Sequence, residues 1–490
     1  MTITPYMKGL DMKLFSEEKA VALESTEKFI SNKEEGISSL ESDLVSLEKH
    51  VDAYVSLGVV HEAVANESFN FVDKKNYVLY NEYIKTITKD LGLKNVPVVS
   101  MEALESLPGL VVNQDLALEG FIGSMWDKVK GLFKKIHENV KAFFVKHFTR
   151  MGSLKKKLDN LKGVLSETDK DIKVLTLDKV PGPISKAFPF DGTINEDTVA
   201  KTLDVVKGVI NVLSVTNKDA VKLAGKDVLD KNFVATVKGL KDQVAANKDK
   251  IADNEDNKTK GIKSLYGEGK ANNKAINEDN KTLSQINREK TAEINSKEEG
   301  MRDTIHTRDN MSAVFDDKDF ETAKREMTTY FTEIAKAFKV IEGKPIPGGK
   351  ILKEATINED GISLEFEENK DTPDSVSLGS KESLLKMVNK MLSSIEELEK
   401  ATDGYSKVND AIMKNVDTVD SLMKDLDKVT GNSDYQAYKA VLEKKVRERL
   451  KYMQKFFTDY NKISKNLIDV VSSVGDGVVA YGVSSLKHFG

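Results

Sequence analysis

The side chains that could do chemistry in this chain are scattered. His50, His61, His137, His147, His306 and His488 include no pair three or four residues apart, the spacing that turns two imidazoles to one metal from a helix. There is no cysteine, which excludes disulfides, thiolate nucleophiles and cysteine-ligated zinc or iron. Gly267-Glu268-Gly269-Lys270 resembles the end of a phosphate-cradling loop, but alanine follows where Ser or Thr must hold the cation, and no hydrophobic strand precedes it. A Gly-x-Ser-x-Gly elbow is absent, and the carboxylates cannot be paired into acid and base from one sequence. Asn-Glu-Asp clusters recur after Ile194, Ile276 and Ile357, and Asn254–Thr259 repeats at Asn277–Thr282. Their oxygens lack the spacing of a calcium loop, so they read as turns or helix starts. The expectation is a chain without catalytic residues, metal or cofactor, and not an enzyme.

The elements around these residues read as helices. Charged residues make up 31% and hydrophobic ones 39% of 490, with nine prolines, a mixture that suits slim cores between long helices. Such a length predicts two to four domains. The fold class expected is mainly α: long helices and helical hairpins or bundles, with a small β-hairpin element. Residues 1–119 form an acidic leader with a heptad seam, Ile30, Ile37, Leu40, Leu44, Leu47, Val51 and Tyr54, able to zip to a helix of this chain or a neighbour. Residues 151–247 read as helical with a strand over Asp171–Leu177, 248–300 as a polar helical stalk or hairpin, and 301–380 as mixed, with a hairpin of Ile351–Thr356 and Ile362–Phe366. Over 381–490 a helical bundle is expected, its seams Leu384, Met387, Met391, Ile395 and Leu398, then Ile412, Val419, Leu422, Leu426 and Val429, meeting near Gly404. No secretory signal opens the sequence. Leu467–Leu486 carries Asp469 and Asp476 and reads as a packed terminal element, not a membrane span.

Residues 120–150 carry the sharpest local pattern. On a helical wheel Ile122, Met125, Trp126, Val129, Leu132, Phe133, Ile136, Val140, Phe143 and Phe144 share one face, and Lys130, Lys134, Lys135, Lys141 and Lys146 occupy the flanks and the opposite side. Val145 is the apolar exception there. A cationic amphipathic helix of this kind suits a lipid interface or packing against protein. Most of its aromatics face away from its lysines, which disfavours a nucleic-acid reader. Charge changes at its start: residues 1–119 hold 11 lysines against 20 carboxylates, net −9, and residues 120–150 seven bases against two acids, net +5.

A small residue, any residue, Glu and then a second small residue occurs as Ala22-Leu23-Glu24-Ser25, Ser39-Leu40-Glu41-Ser42, Ala65-Asn66-Glu67-Ser68, Ser100-Met101-Glu102-Ala103, Ala103-Leu104-Glu105-Ser106 and Ala117-Leu118-Glu119-Gly120; Ser380-Lys381-Glu382-Ser383 is the one clear match after residue 120. The crowding of these triplets ahead of the charge switch resembles internal head proteins of giant phiKZ-related tailed phages, in which a prohead protease cuts after such a triplet and removes an acidic propeptide. The resemblance covers about the first 150 residues. It implies Glu119 as the last propeptide residue and Gly120 as the mature start, with Glu24, Glu41, Glu67, Glu102 and Glu105 as further cuts. It also implies a structural virion protein packaged inside the head, synthesised in the host cytoplasm and ejected with the genome. The implied partners are the prohead protease, other capsid or inner-head proteins, further copies of itself, packaged DNA and the host membrane. Two rival readings stay open at this point: a helical membrane-acting, pore-forming-like protein, and a non-catalytic cytoplasmic scaffold.

Overall fold

The computed structural model describes residues 40–61, 74–91, 110–167, 175–190, 192–224, 233–235, 237–239, 318–358, 361–369, 371, 373–429 and 433–486. Residues 40–61 form helix α1. It is followed by α2 (Lys74–Thr88), α3 (Leu110–Glu167), α4 (Gly182–Ala187), α5 (Glu196–Ala224), α6 (Lys318–Phe338), α7 (Lys381–Thr402), α8 (Tyr405–Leu426) and α9 (Ser433–Leu486). The strands are β1 (Thr176–Leu177), β2 (Gly192–Ile194), β3 (Pro345–Ile346), β4 (Lys350–Asn358), β5 (Gly361–Glu368) and β6 (Pro373–Ser377). The fold is mainly α.

Local chemistry sets several of these ends. Asn195 accepts the Thr198 amide at 3.0 Å while Thr198 Oγ1 accepts the Asn195 amide at 2.8 Å, a reciprocal cap that starts α5 with Glu196 and Asp197 in its first turn. The Ile357-Asn358-Glu359-Asp360 copy of the same motif instead leads from β4 into Gly361, whose φ of 133° only glycine adopts freely. Gly404, at φ 90°, makes the corner between α7 and α8 and lets their two seams face the same core. Ser380 caps α7 by accepting the Ser383 amide.

Two long helices organise the rest. In α3 and α9, Phe133 lies on Phe457, His147 beside Ser472, and Arg150 pairs with Asp476, so residue numbers rise together and the helices run parallel. Helix α8 runs antiparallel to α3, from Asp420 at Lys130 to Tyr405 stacked on Phe144. Helix α1 is antiparallel to both long helices, with Asp43 at Lys135, Tyr54 against Trp126 and Glu48 near Lys462. The described residues bury one contiguous apolar cluster. Buried polar groups thread it: Tyr460 and Ala401 share Asn217, and Tyr405 donates to Asn461, which donates to Asn409 at 3.1 Å. Such a satisfied network favours one packing over its neighbours.

Small sheets close the sides. β4 and β5 pair antiparallel from Lys350 opposite Glu368 to Asn358 opposite Gly361, and β3 adds to β4. β6 pairs with β1 antiparallel and with β2 parallel. The strand expected over Asp171–Leu177 amounts to Thr176–Leu177 in the described residues, and of the helical spacing read through 247 the described residues show α5 to Ala224 and helical residues 233–235 and 237–239. The stalk over 248–300, with its repeats and the Gly267–Lys270 stretch, lies outside the described residues, as do Ile30, Ile37 and His306.

The last third of α9 is apolar and long enough to cross a membrane by composition, yet 61% of that apolar window is buried in the protein. Its glycines are the reason it packs so closely. A Cβ at Gly477 would collide with Ala187 Cβ, and one at Gly475 with Leu154. Gly477→Ala should therefore destabilise by roughly 1–3 kcal/mol through overpacking, outweighing the roughly 1 kcal/mol that alanine gains in a helix; urea unfolding monitored by circular dichroism reads the difference.

Candidate functional site

The amphipathic stretch around Trp126 belongs to a longer helix than its charge pattern predicts. Helix α3 begins at Leu110 and crosses the Glu119–Gly120 junction without a break, since Ala117, Leu118 and Glu119 are good helix formers and Gly120 faces open space. The segment boundary read at 119/120 is thus a charge boundary and not an element boundary. Leu118, just before it, is buried.

The apolar face is inside the protein. Ile122, Trp126, Val129, Phe133, Ile136, Val140 and Phe144 are buried, while Leu132 and Phe143 pack half-buried against the same cluster. Their neighbours come from α1, α8 and α9: Tyr54 with ring centroid 5.7 Å from Trp126, Tyr405 at 3.6 Å from Phe144, and Phe457 at 5.5 Å from Phe133. Burial against these helices gives the face partners within the chain, the packing alternative of the two that the wheel left open. Val145, 69% exposed, points away from the core as the wheel indicates.

Three of these lysines, Lys130, Lys135 and Lys141, hold carboxylates on other helices. Lys130 bonds Asp420, which also accepts Trp126 Nε1 at 2.9 Å and Lys424 at 2.9 Å. Burial raises the Asp420 carboxyl, but these three donors outweigh it and hold the group down to about 2. Lys135 meets Asp43 of α1 at 2.7 Å, with Asn139 donating to the second oxygen at 3.0 Å. Lys141 and His137 converge on Asp410, each at 2.9 Å. Lys134 and Lys146 are exposed.

Sequence reasoning missed a buried charge cluster between α1 and α9. Arg447 and Arg449 are each 1% exposed. Arg447 donates to Glu443 at 2.8 Å, lies over the Tyr54 ring at 5.2 Å, and crosses α1 where Gly58 leaves room, 2.6 Å from the position a Cβ would take. His61 stands 3.4 Å and Lys439 3.8 Å from Glu443. Burial pushes the Glu443 carboxyl up, yet the His61 contact and the charges of Arg447 and Lys439 hold it at about 2. In sequence this is an ordinary Glu–Arg pair four residues apart, indistinguishable from a solvated one.

Lower on α9, Asp459 sits under Gly361 and beside Lys455 at 3.5 Å, and burial pushes its carboxyl up to about 6 against the pull of Lys455 and Lys462. The folded protein therefore binds that proton more tightly than the unfolded chain. Stability from this group is highest below about pH 4 and falls as pH rises towards 6, remaining low above it. Asp459→Asn should raise stability at pH 7 by roughly 2 kcal/mol and flatten the pH 4–6 slope, measured as urea midpoints across that range.

Neither ion cluster has the form of a reaction centre. Among the described residues no group of three or more His, Asp or Glu side chains could hold a metal. The pocket lined by Leu223, Ile412, Asn415 and Phe456 has about 20 Å³ of free volume, room for one water against the several hundred Å³ of a ligand cleft. Of the candidate cleavage residues, Glu41 stands half-exposed on α1 and pairs with Lys465 at 3.0 Å, and Glu119 lies within α3. Glu24, Glu67, Glu102 and Glu105 lie outside the described residues.

A family model for phiKZ-like phage internal head proteins matches residues 39–487, which takes in α1 as well as everything from α2 through α9. No curated protein and no solved structure matches the chain.

Proposed function

This chain belongs to the phiKZ-like phage internal head proteins, and from that premise we propose that it is made as a precursor, packaged in the head, and cut by the prohead protease after Glu119. It is a structural protein of the phage head interior, associated with other head proteins. The observation that carries the processing reading is the Ala117-Leu118-Glu119 triplet at the point where net −9 gives way to net +5. Glu24, Glu41, Glu67, Glu102 and Glu105 are secondary cuts in the same acidic stretch. Removal of residues 1–119 leaves a body chain of net +4, ejected with the genome.

A protease needs extended chain, and the Glu119–Gly120 bond is helical in the folded protein. The cut therefore precedes closure of the first turns of α3 or acts on them when they open. Gly120 and Gly123 both face open space, and each weakens the helix by about 1 kcal/mol relative to alanine, so this end opens most readily. Contact with the host membrane through the Trp126 face would require that face to leave the core first; packing against inner-head neighbours uses the outward lysines instead. Intact mass and N-terminal peptide mapping of the protein from purified virions test the reading. A body starting at Gly120 is expected, and an uncut N-terminus in the mature particle would overturn it.

A further inference from the structure

Helix α1 is held by contacts that do not depend on its covalent link to α2. Leu44, Leu47, Val51, Tyr54 and Leu57 are fully buried. Outside this seam its carboxylates meet the basic side of α9 in register: Glu41 at Lys465, Glu48 at Lys462 and Lys455, and Asp52 at Lys451 (3.0, 3.6, 3.8 and 2.9 Å). Asp43 reaches across to Lys135 of α3, and at the far end Gly58 and His61 fit around the buried Arg447 and Glu443. The acidic leader is thus not a free polyanion at this point. It neutralises a row of lysines on α9 and roofs the groove between α3 and α9.

Two of the candidate cuts bracket the described core of α1: Glu41 lies beside its first described residue, 40, and Glu67 comes after its last described residue, 61. Cutting after both gives Ser42–Glu67, which keeps every contact named above except the Glu41–Lys465 pair. Lys465 then still has Asp469 at 4.0 Å. The family match also begins at residue 39, so α1 is part of what the family shares.

We propose that α1 stays in the groove between α3 and α9 after processing, and that the mature protein is a two-part complex in which Ser42–Glu67 is a noncovalent subunit of the body. This rests on the processing reading for the cuts and on the packing of α1 for the retention. The apolar seam supplies the hold, because exposed ion pairs contribute little alone; the ion pairs set direction and register. Raised salt should loosen the fragment less than loss of one seam residue does.

Retention can be measured without the phage protease. A site-specific protease sequence placed at Glu67 in the full-length chain is cut, and the product is run on a native gel-filtration column. Co-elution of the N-terminal piece with the body in equal amounts is the expected result; elution of that piece on its own overturns the proposal. Leu47→Asp in the same cut chain should lower the retained fraction by roughly tenfold or more, and undiminished retention would also overturn it, since the seam would not be the hold. In purified virions, peptides of Ser42–Glu67 equimolar with a body that starts at Gly120 support the proposal. A Gly120 body without them refutes retention and leaves processing standing. An uncut chain there refutes processing and the two-part complex with it, whatever the engineered cut shows.

Discussion

A chain that starts at Gly120 is expected to fold poorly alone and to recover when a peptide of residues 42–67 is added back. Without α1 the groove between α3 and α9 opens beside Trp126, and Arg447 loses Tyr54. Each large apolar side chain transferred back to water costs about 1.5–3 kcal/mol, and several line this groove, against a total stability of about 5–15 kcal/mol for a typical domain. Trp126 is the sole tryptophan and lies under Tyr54 of α1, so its fluorescence reports the groove directly. The truncated chain should show red-shifted emission, increased binding of an apolar dye and a lower urea midpoint, all reversed by the peptide. Unchanged emission and an unchanged midpoint would mean that α1 decorates the body without supporting it.

Glu443→Gln should be among the most damaging single substitutions, costing about 3–5 kcal/mol, because it strips a buried anion from buried cations. Arg447 and Lys439, 1% and 4% exposed, would be left without their shared carboxylate. Arg447→Met should cost less, since Glu443 keeps His61 and Lys439 within reach and the methionine fills part of the space. The ranking follows from counting partners and would be reversed if packing volume ruled. The pH dependence has a definite sign. Glu443 has its folded value depressed from 4.5 to about 2, so its contribution is present above about pH 4.5 and is lost as pH falls towards 2. The gap between wild type and Glu443→Gln should narrow over that window in acid-unfolding curves.

Much of the architecture was legible because it depends on local periodicity. The seams at Leu384–Leu398 and Ile412–Leu426 are buried on α7 and α8, and the Gly404 corner between them has the positive φ that glycine allows. The Ile351–Phe366 hairpin forms with Asn358 opposite Gly361. Of the face read from the wheel of residues 120–150, Ile122, Met125, Trp126, Val129, Phe133, Ile136, Val140 and Phe144 are buried on α3 and Leu132 and Phe143 half-buried. By contrast, β6 has no alternation that marks it, and its pairing with β1 and β2 is long-range. The extension of α3 to Leu110 and Glu167 was masked by glycines at 120, 123, 131, 152 and 163, which face open space and so cost propensity without disrupting packing.

The sequence by itself determined the helical class, the amphipathic faces, the lack of catalytic motifs and the family resemblance, since propensity, spacing and short motifs are properties of neighbouring residues. It also located the acidic front and the basic stretch behind it. Only the tertiary structure decided what those charges and faces meet: that the acids of α1 lie along the lysines of α9, that the Trp126 face closes on α1, α8 and α9, and that Glu443, Arg447 and Arg449 are core residues. The physical reason is that a charged side chain has the same local pattern whether it ends in water or under another helix. Burial is set by which helices run side by side, and the parallel run of α3 and α9 with α1 laid antiparallel between them comes from contacts hundreds of residues apart.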